Sequence, residues 1–137
     1  MVQQMLKQDE HDKVIDTLYT EYKKKYPKVW KNPNQEKNMT IKDHEGIYPD
    51  ILVANEQNIL EFIEEVEIEE TVTKEHAKEQ WIPYSKVNTS FFLRVPLGSQ
   101  VNARKILADL KITATVRCYS ITKNQVTKAI EVILMSC

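Results

Sequence analysis

Three acidic side chains fall on two neighbouring predicted strands, where they could share one ligand. Asp50 lies on the first strand, and Glu65 and Glu67 alternate along the second so that both face the same side. Antiparallel pairing would place Asp50 beside the two glutamates. Carboxylates this close repel one another unless they reach water or surround a hard divalent cation such as Mg²⁺ or Mn²⁺. The pattern therefore indicates a metal site, and the open alternative is a solvated acidic strand edge.

The helix predicted after the acidic strand carries two further polar candidates. Gln80 and Tyr84 are four residues apart and share a face with Trp81. A glutamine on an apolar face needs a partner, which could be a metal-bound water, a carboxylate or a phosphate, or simply a backbone carbonyl. On the first predicted helix, Glu21 lies at the edge of the apolar face, where its carboxylate could point along the sheet.

Hydrophobic periodicity predicts the elements that would position these residues. Helical spacing runs over residues 4–26 and stops at Pro27, and two alternating runs, 47–54 and 59–69, form a β-hairpin through Asn55–Asn58. The other predicted elements are short strands at 29–31 and 38–42, a helix from the N-cap Thr73 to about 82, a strand at 91–95, a helix at 98–110, and strands at 112–121 and 126–134, the last of which could be helical. This order predicts an α/β domain with a mixed central sheet flanked by helices, although α+β stays open.

Composition limits the class of protein. The 137 residues suit a single domain spanning 1–137, and 42% hydrophobic with 28% charged residues argue against wholesale disorder. No apolar run could cross a bilayer and the first 30 residues lack a signal-peptide core, so a cytoplasmic location with no membrane partner is expected. The two glycines, Gly46 and Gly98, exclude a glycine-rich phosphate loop. Cys118 and Cys137 are too few for a disulfide scaffold, and Cys118 is expected in the core.

Charge is unevenly distributed along the chain. Residues 49–80 carry ten acidic and two basic side chains, and residues 81–137 carry two acidic and eight basic ones. An acidic centre beside a basic half would suit a metal site within an anion-binding surface. The candidate phosphate contacts are Lys23–Lys25, Lys28, Lys31, Lys86, Arg94, Arg104, Lys105 and Arg117. The three histidines, His11, His44 and His76, are too far apart for a zinc motif and are expected to be structural.

Two sequence segments together resemble the PD-(D/E)xK nuclease superfamily. Tyr48-Pro49-Asp50 followed by Glu64-Glu65-Val66-Glu67 looks like its signature, in the variant whose lysine is replaced by glutamate. Gln80-Trp81-Ile82-Pro83-Tyr84 is similar to the Q-x-x-x-Y motif of the RecB-type branch. The resemblance covers roughly residues 10–95 and implies a restriction-endonuclease-like three-layer fold.

The resemblance implies metal-dependent hydrolysis of DNA phosphodiester bonds. Asp50, Glu65 and Glu67 would be the Mg²⁺ or Mn²⁺ ligands, with Glu67 in the place of the usual lysine. Glu21 would be the assisting carboxylate from the first helix, and Gln80 and Tyr84 would shape the site. A small nuclease of this kind is expected to act as a homodimer or as a component of a larger complex.

The chain departs from the family pattern at three points. The motif lysine is absent at position 67. Lys74 or Lys78 could reach back into the site in its place, although the pattern is also typical of surface charges for both. Pro83 is expected to kink or end the helix before Tyr84. A second register, Glu67-Ile68-Glu69, competes with the preferred one.

These departures leave other functions open. The first alternative is a catalytically inactive nucleic-acid-binding module that retains the nuclease fold. The second is a protein-interaction domain whose acidic strand binds a basic partner.

Overall fold

The chain forms a six-stranded mixed sheet with helices on both faces, as the sequence predicts. The computed structural model describes the backbone of residues 2–137 and the side chains of residues 7–34 and 36–137. The helices are α1 (Val2–Lys23), α2 (Lys74–His76), α3 (Ile82–Ser85) and α4 (Gln100–Leu110). The strands are β1 (Lys28–Lys31), β2 (Ile51–Ala54), β3 (Leu60–Val66), β4 (Ser90–Pro96), β5 (Thr115–Lys123) and β6 (Ile130–Ser136). No helix in the described residues has both the length and the apolar character needed to cross a membrane.

The strands lie in the sheet in the order of the sequence. β1, β2 and β3 are antiparallel neighbours, β3, β4 and β5 are parallel, and β6 returns antiparallel to β5. The two parallel pairs require crossovers, which the helical segment after β3 and helix α4 provide. The last segment, Ile130–Ser136, is a strand, so the helical alternative predicted for this region is wrong.

Helix α1 covers one face of the sheet through the apolar stripe that the sequence predicts. Val14, Ile15 and Leu18 are fully buried, and Tyr22 meets Phe62 of β3 edge to face with ring centroids 5.2 Å apart. The opposite face packs against α4 and the helical segment after β3. Alternation along β3 divides its side chains between these two cores, with Phe62 and Val66 in the α1 core and Ile63 in the opposite one.

The segment 32–50 is irregular where strands at 38–42 and from 47 were predicted. Asn32 is 3% exposed, and its amide group donates to the carbonyls of Met39 and Pro49 and accepts from the amides of Asn38 and Met39. The Asn32 side chain therefore occupies backbone N–H and C=O groups that would otherwise pair with a neighbouring strand. Only an isolated bridge between Ile41 and His44 forms, and β2 begins at Ile51, one residue after Asp50.

Strand β3 ends earlier than predicted. It stops at Val66, and Glu69 opens a 3₁₀ turn, Glu69–Thr71, in which Glu69 is exposed. The competing register Glu67-Ile68-Glu69 therefore does not form an inward-facing pair. Glu65 and Glu67 remain buried, as does Glu64, which pairs with Arg94.

A buried ion pair crosses the sheet on the α1 side. Glu64 is 0% and Arg94 4% exposed, and Arg94 Nε donates to Glu64 Oε2 at 2.7 Å. Tyr22 donates its hydroxyl to Glu64 Oε1 at 2.5 Å, and Arg94 Nη1 donates to the carbonyls of Cys118 and Met135. Arg94 was a candidate phosphate contact, and that prediction is wrong because its guanidinium is enclosed by these partners.

The two cysteines form a bond that the sequence analysis did not anticipate. Cys118 is fully buried as predicted, but it is joined to Cys137 with Cα atoms 5.8 Å apart. The antiparallel β5–β6 register aligns Cys118 with Met135, which returns the chain to within reach two residues later.

Candidate active site

The predicted acidic residues form the floor of a cleft where β2 begins and β3 ends, called the acidic cleft below. Its floor is Asp50, Glu65, Val66 and Glu67, and its volume is about 600 Å³. Four segments surround the floor: the first half of α1, the irregular segment 32–48, the 3₁₀ turn Glu69–Thr71 and the helical segment 74–85.

Asp50 and Glu65 are locked to each other across β2 and β3. The amide of Asp50 donates to Glu65 Oε1 at 2.7 Å, and the amide of Val66 donates to Asp50 Oδ2 at 2.8 Å. This reciprocal pair follows from the register in which Ile51 lies opposite Glu64, so that the preceding residue faces Glu65. Each carboxylate therefore keeps one oxygen that makes no hydrogen bond within the described residues.

Glu65 is held in an unfavourable environment for a negative charge. It is 3% exposed. Burial, together with the negative charges of Asp50 and Glu67, raises the pKa of Glu65 well above its ordinary value, although the Asp50 amide opposes the shift. A buried carboxylate of this kind is stabilised either by a proton or by a cation.

His11 reaches the acidic cleft from α1, where the sequence analysis expected Glu21. Its Nε2 lies 3.0 Å from the Val66 carbonyl and 3.4 Å from Asp50 Oδ2, and its Nδ1 lies 3.3 Å from Asp12 Oδ1. Both ring nitrogens face acceptors, which favours the doubly protonated ring. Burial alone would lower the pKa of His11, but Asp50 and then Asp12 raise it to about 9.

Glu67 is bound by two side chains of the next helical segment. Its Oε2 lies 2.9 Å from His76 Nε2, and its Oε1 accepts from Trp81 Nε1 at 3.2 Å. The hydrogen bond to Glu67 raises the pKa of His76 despite partial burial. Glu67 was predicted to turn toward Asp50 and Glu65 as a metal ligand, whereas the structure turns its carboxylate toward this imidazole and indole.

Gln80 and Tyr84 both line the acidic cleft, as predicted, on a helix that Pro83 does not break. Thr73 is the N-cap, accepting from the His76 amide, and the residues Ala77–Trp81 form a π-turn in which the Ile82 amide bonds to the Ala77 carbonyl. The wider turn precedes Pro83, which sits in the first turn of α3, where its missing amide is tolerated. Burial and the nearby carboxylates raise the pKa of Tyr84, so its hydroxyl remains protonated.

Glu21 does not belong to the acidic cleft, which corrects the prediction. It lies ten residues after His11, or about 15 Å further along the helix axis. There it pairs with Lys24 and lines a separate depression beside Arg94 and Arg117.

The basic residues near the acidic cleft differ from those predicted. Lys7 and Lys37 line it, and neither was singled out from the sequence. Lys74, considered as a substitute for the missing lysine, instead reaches Asp109 of α4 at 3.4 Å, and Lys78 is exposed. Of the basic run after α1, Lys31 pairs with Asp16 at 2.7 Å.

Sequence reasoning also missed the roles of two histidines. His11 precedes Val14, Ile15 and Leu18 by three, four and seven residues, which places it on the buried stripe of α1 and could have indicated its direction. His76 precedes Gln80 by four residues and so shares its helix face. His44 lies outside the acidic cleft.

The donor chemistry of the floor fits a hard divalent cation. Two buried carboxylates each present one unengaged oxygen, and Mg²⁺ commonly binds through one or two carboxylates while keeping waters. Within the described residues no group of three or more His, Cys, Asp or Glu side chains is already arranged as a ligand set. Asp50 and Glu65 are therefore the candidate cation ligands, whereas Glu67 would first have to release His76 or Trp81.

No protein-family model matches the chain, and comparisons with curated proteins and with solved structures also find no match. The chemistry of the acidic cleft is therefore inferred from its own residues and geometry.

We expect the stability of the metal-free protein to fall as pH rises from about 6.5 to about 9. Folded His11 holds its proton up to about pH 9, whereas the unfolded residue loses it near 6.5, so the stabilisation is complete below 6.5 and is lost across this window. Urea unfolding in EDTA at several pH values measures the decline. His11→Gln should make it shallower, and His44→Gln should not; an unchanged decline in His11→Gln would contradict the assignment.

Proposed function

We propose that the protein is a divalent-metal-dependent nuclease of the PD-(D/E)xK class that hydrolyses DNA phosphodiester bonds. The observation that carries the proposal is the pair of hydrogen bonds that joins Asp50 to Glu65 and Val66, which holds two buried carboxylates at the base of a cleft. The restriction-endonuclease-like fold is part of the proposal. It is supported by the order of elements: a helix, a hairpin that carries both acids, and a helical segment that brings Gln80 and Tyr84 to them.

Asp50 and Glu65 would hold Mg²⁺ or Mn²⁺, and the carbonyl of Val66, the residue after Glu65, lies 3.0 Å from His11 Nε2. Bound there, the cation would supply Lewis-acid stabilisation of the phosphate and a more acidic water. His11 Nε2, 3.4 Å from Asp50 Oδ2, places a positive charge at the same edge. This charge would help to neutralise an incoming phosphate.

Glu67 is the proposed proton acceptor, since it occupies the position of the usual lysine. The hydrogen bonds from His76 and Trp81 fix its carboxylate, and Tyr119 fixes its backbone by donating to the Glu67 carbonyl at 2.7 Å. A carboxylate beside an imidazole can accept the proton of the attacking water, and the leaving alkoxide would take its proton from solvent.

The direct test is a cleavage assay with single-stranded, linear and supercoiled DNA. We expect products with Mg²⁺ or Mn²⁺, none in EDTA, and none with Asp50→Ala, because this variant lacks one of the two proposed ligands. Cleavage that survives Asp50→Ala would contradict the proposal and would point to a contaminating nuclease.

The engagement of Glu67 by His76 and Trp81 favours a second candidate, an inactive nucleic-acid-binding module with the same fold. It predicts salt-sensitive DNA binding, no cleavage with either ion, and little effect of Glu65→Gln on binding. For the nuclease, a homodimer or a larger complex remains the predicted assembly, because cutting both strands needs two centres.

A further inference from the structure

The carboxylates of the acidic cleft are almost completely enclosed. Asp50, Glu65 and Glu67 expose 9%, 3% and 2% of their surface, and the space above them is about 600 Å³. Tyr48 of the irregular segment and Tyr84 of α3 are among the residues that surround them. A reacting phosphate must therefore enter between walls, since the floor offers no open surface on which a phosphate could rest.

The size of the acidic cleft bears on which form of DNA can bring a phosphate to the carboxylates. Volumes of roughly 300–1,000 Å³ enclose one small ligand, which corresponds to one or two nucleotides. In a continuous duplex each phosphate is followed by its neighbours and faces a second strand across a groove. We therefore expect a duplex to approach the buried carboxylates less readily than a single strand does. A single strand can bend one phosphate inward because its bases are not paired.

Two lysines and a tyrosine that line the acidic cleft have the chemistry that binds single strands. Lys37 Nζ lies 5.7 Å from the centre of the Tyr48 ring, and Lys7 reaches Glu70 at 2.8 Å from the first half of α1. Grooves for single strands combine cations that contact phosphates with aromatic rings on which bases stack. Tyr48 is half-buried, so part of its ring is accessible to a base.

Building on the proposed nuclease function, we propose that the acidic cleft accepts single-stranded DNA, either a free strand or an unpaired overhang, and excludes continuous duplex. Tyr48 would stack on a base next to the reacting phosphate. Lys37 would contact a neighbouring phosphate, and Lys7 would exchange its partner Glu70 for another phosphate.

The test compares end-labelled DNA of one sequence as a single strand, as a duplex with an unpaired overhang and as a blunt duplex, together with closed circular duplex, all in Mn²⁺. We expect the single strand and the overhang to be cut at least tenfold faster than the blunt and closed duplexes. Equal cutting of closed circular duplex would overturn the substrate form while leaving the nuclease function intact. No cutting of any form with Mg²⁺ or Mn²⁺ would overturn both.

A tyrosine pair provides a matched control for the stacking role. Tyr48→Leu should raise KM for the single strand about 5- to 100-fold, with a smaller effect on kcat, since one stacked base is lost. Tyr19 also lies beneath a lysine, with Lys31 Nζ 4.8 Å from its ring centre, but outside the acidic cleft. Tyr19→Leu should leave KM unchanged, and equal effects of the two variants would overturn the assignment of Tyr48.

Discussion

Glu65→Gln is expected to make the metal-free protein more stable and to reduce cleavage on the order of a thousandfold. Between the ordinary carboxyl pKa and the raised pKa of Glu65, the folded protein holds a proton that the unfolded chain has released. Folding therefore loses stability as pH rises through this range, and glutamine removes that cost. We expect a gain of about 1–2 kcal/mol at neutral pH in EDTA, or roughly 4 °C or more in melting temperature.

The same substitution should remove the response to metal. Wild-type protein is expected to melt at a higher temperature with Mn²⁺ than in EDTA, because the cation binds only the folded state, and Glu65→Gln should lose this difference. The matched control is Glu61→Gln, the same substitution at an exposed position of β3, which should change neither stability nor cleavage. A Glu65→Gln protein that is less stable in EDTA, or that still responds to Mn²⁺, would contradict the assignment.

Arg94→Ala is expected to destabilise the protein by about 3–5 kcal/mol, since it leaves Glu64 charged, buried and without its cation. The Cys118 and Met135 carbonyls lose a donor at the same time. Tyr22 still donates to Glu64, but a neutral hydroxyl does not replace a positive charge. Urea unfolding followed by circular dichroism measures the loss. A protein within 1 kcal/mol of wild type would show that the ion pair is not needed.

The double variant Glu64→Gln/Arg94→Met tests whether Arg94→Ala destabilises the protein by leaving an unpaired charge or by removing a side chain that fills space. It replaces both charges with neutral side chains of similar length, so we expect it to recover much of the stability lost in Arg94→Ala. The surface control is Arg104→Met on α4, which should change the unfolding free energy by no more than about 0.5 kcal/mol. A double variant less stable than Arg94→Ala would indicate that hydrogen-bond geometry, rather than charge, dominates.

Local periodicity was sufficient to predict most of the fold. Alternation and helical spacing depend on neighbours a few residues apart, so the stripe of α1, the hairpin and the mixed sheet were all predictable. The strand predicted at 38–42 is absent because the Asn32 side chain binds that segment, a contact that local pattern does not contain. The Glu64–Arg94 ion pair could not be predicted for the same reason, since its members lie 30 residues apart in the sequence.

The floor of the site was predictable and its surroundings were not. Register within one hairpin follows from its turn, and this brought Asp50 to Glu65. The approach of His11 to Val66 spans 55 positions and depends on how α1 lies across the sheet. The sequence analysis therefore predicted that α1 contributes a carboxylate to the site. The tertiary arrangement instead brings the His11 imidazole to the acidic cleft and leaves Glu21 about 15 Å further along the helix axis.

The bond between Cys118 and Cys137 changes how mechanical load would enter the sheet. Tension applied to any tag or chain beyond Cys137 would pass through the sulfur atoms to the middle of β5. Without the bond, the same tension would peel β6 away one hydrogen bond at a time. A tether attached at this end would therefore pull on the interior of the protein rather than unzip its outermost strand.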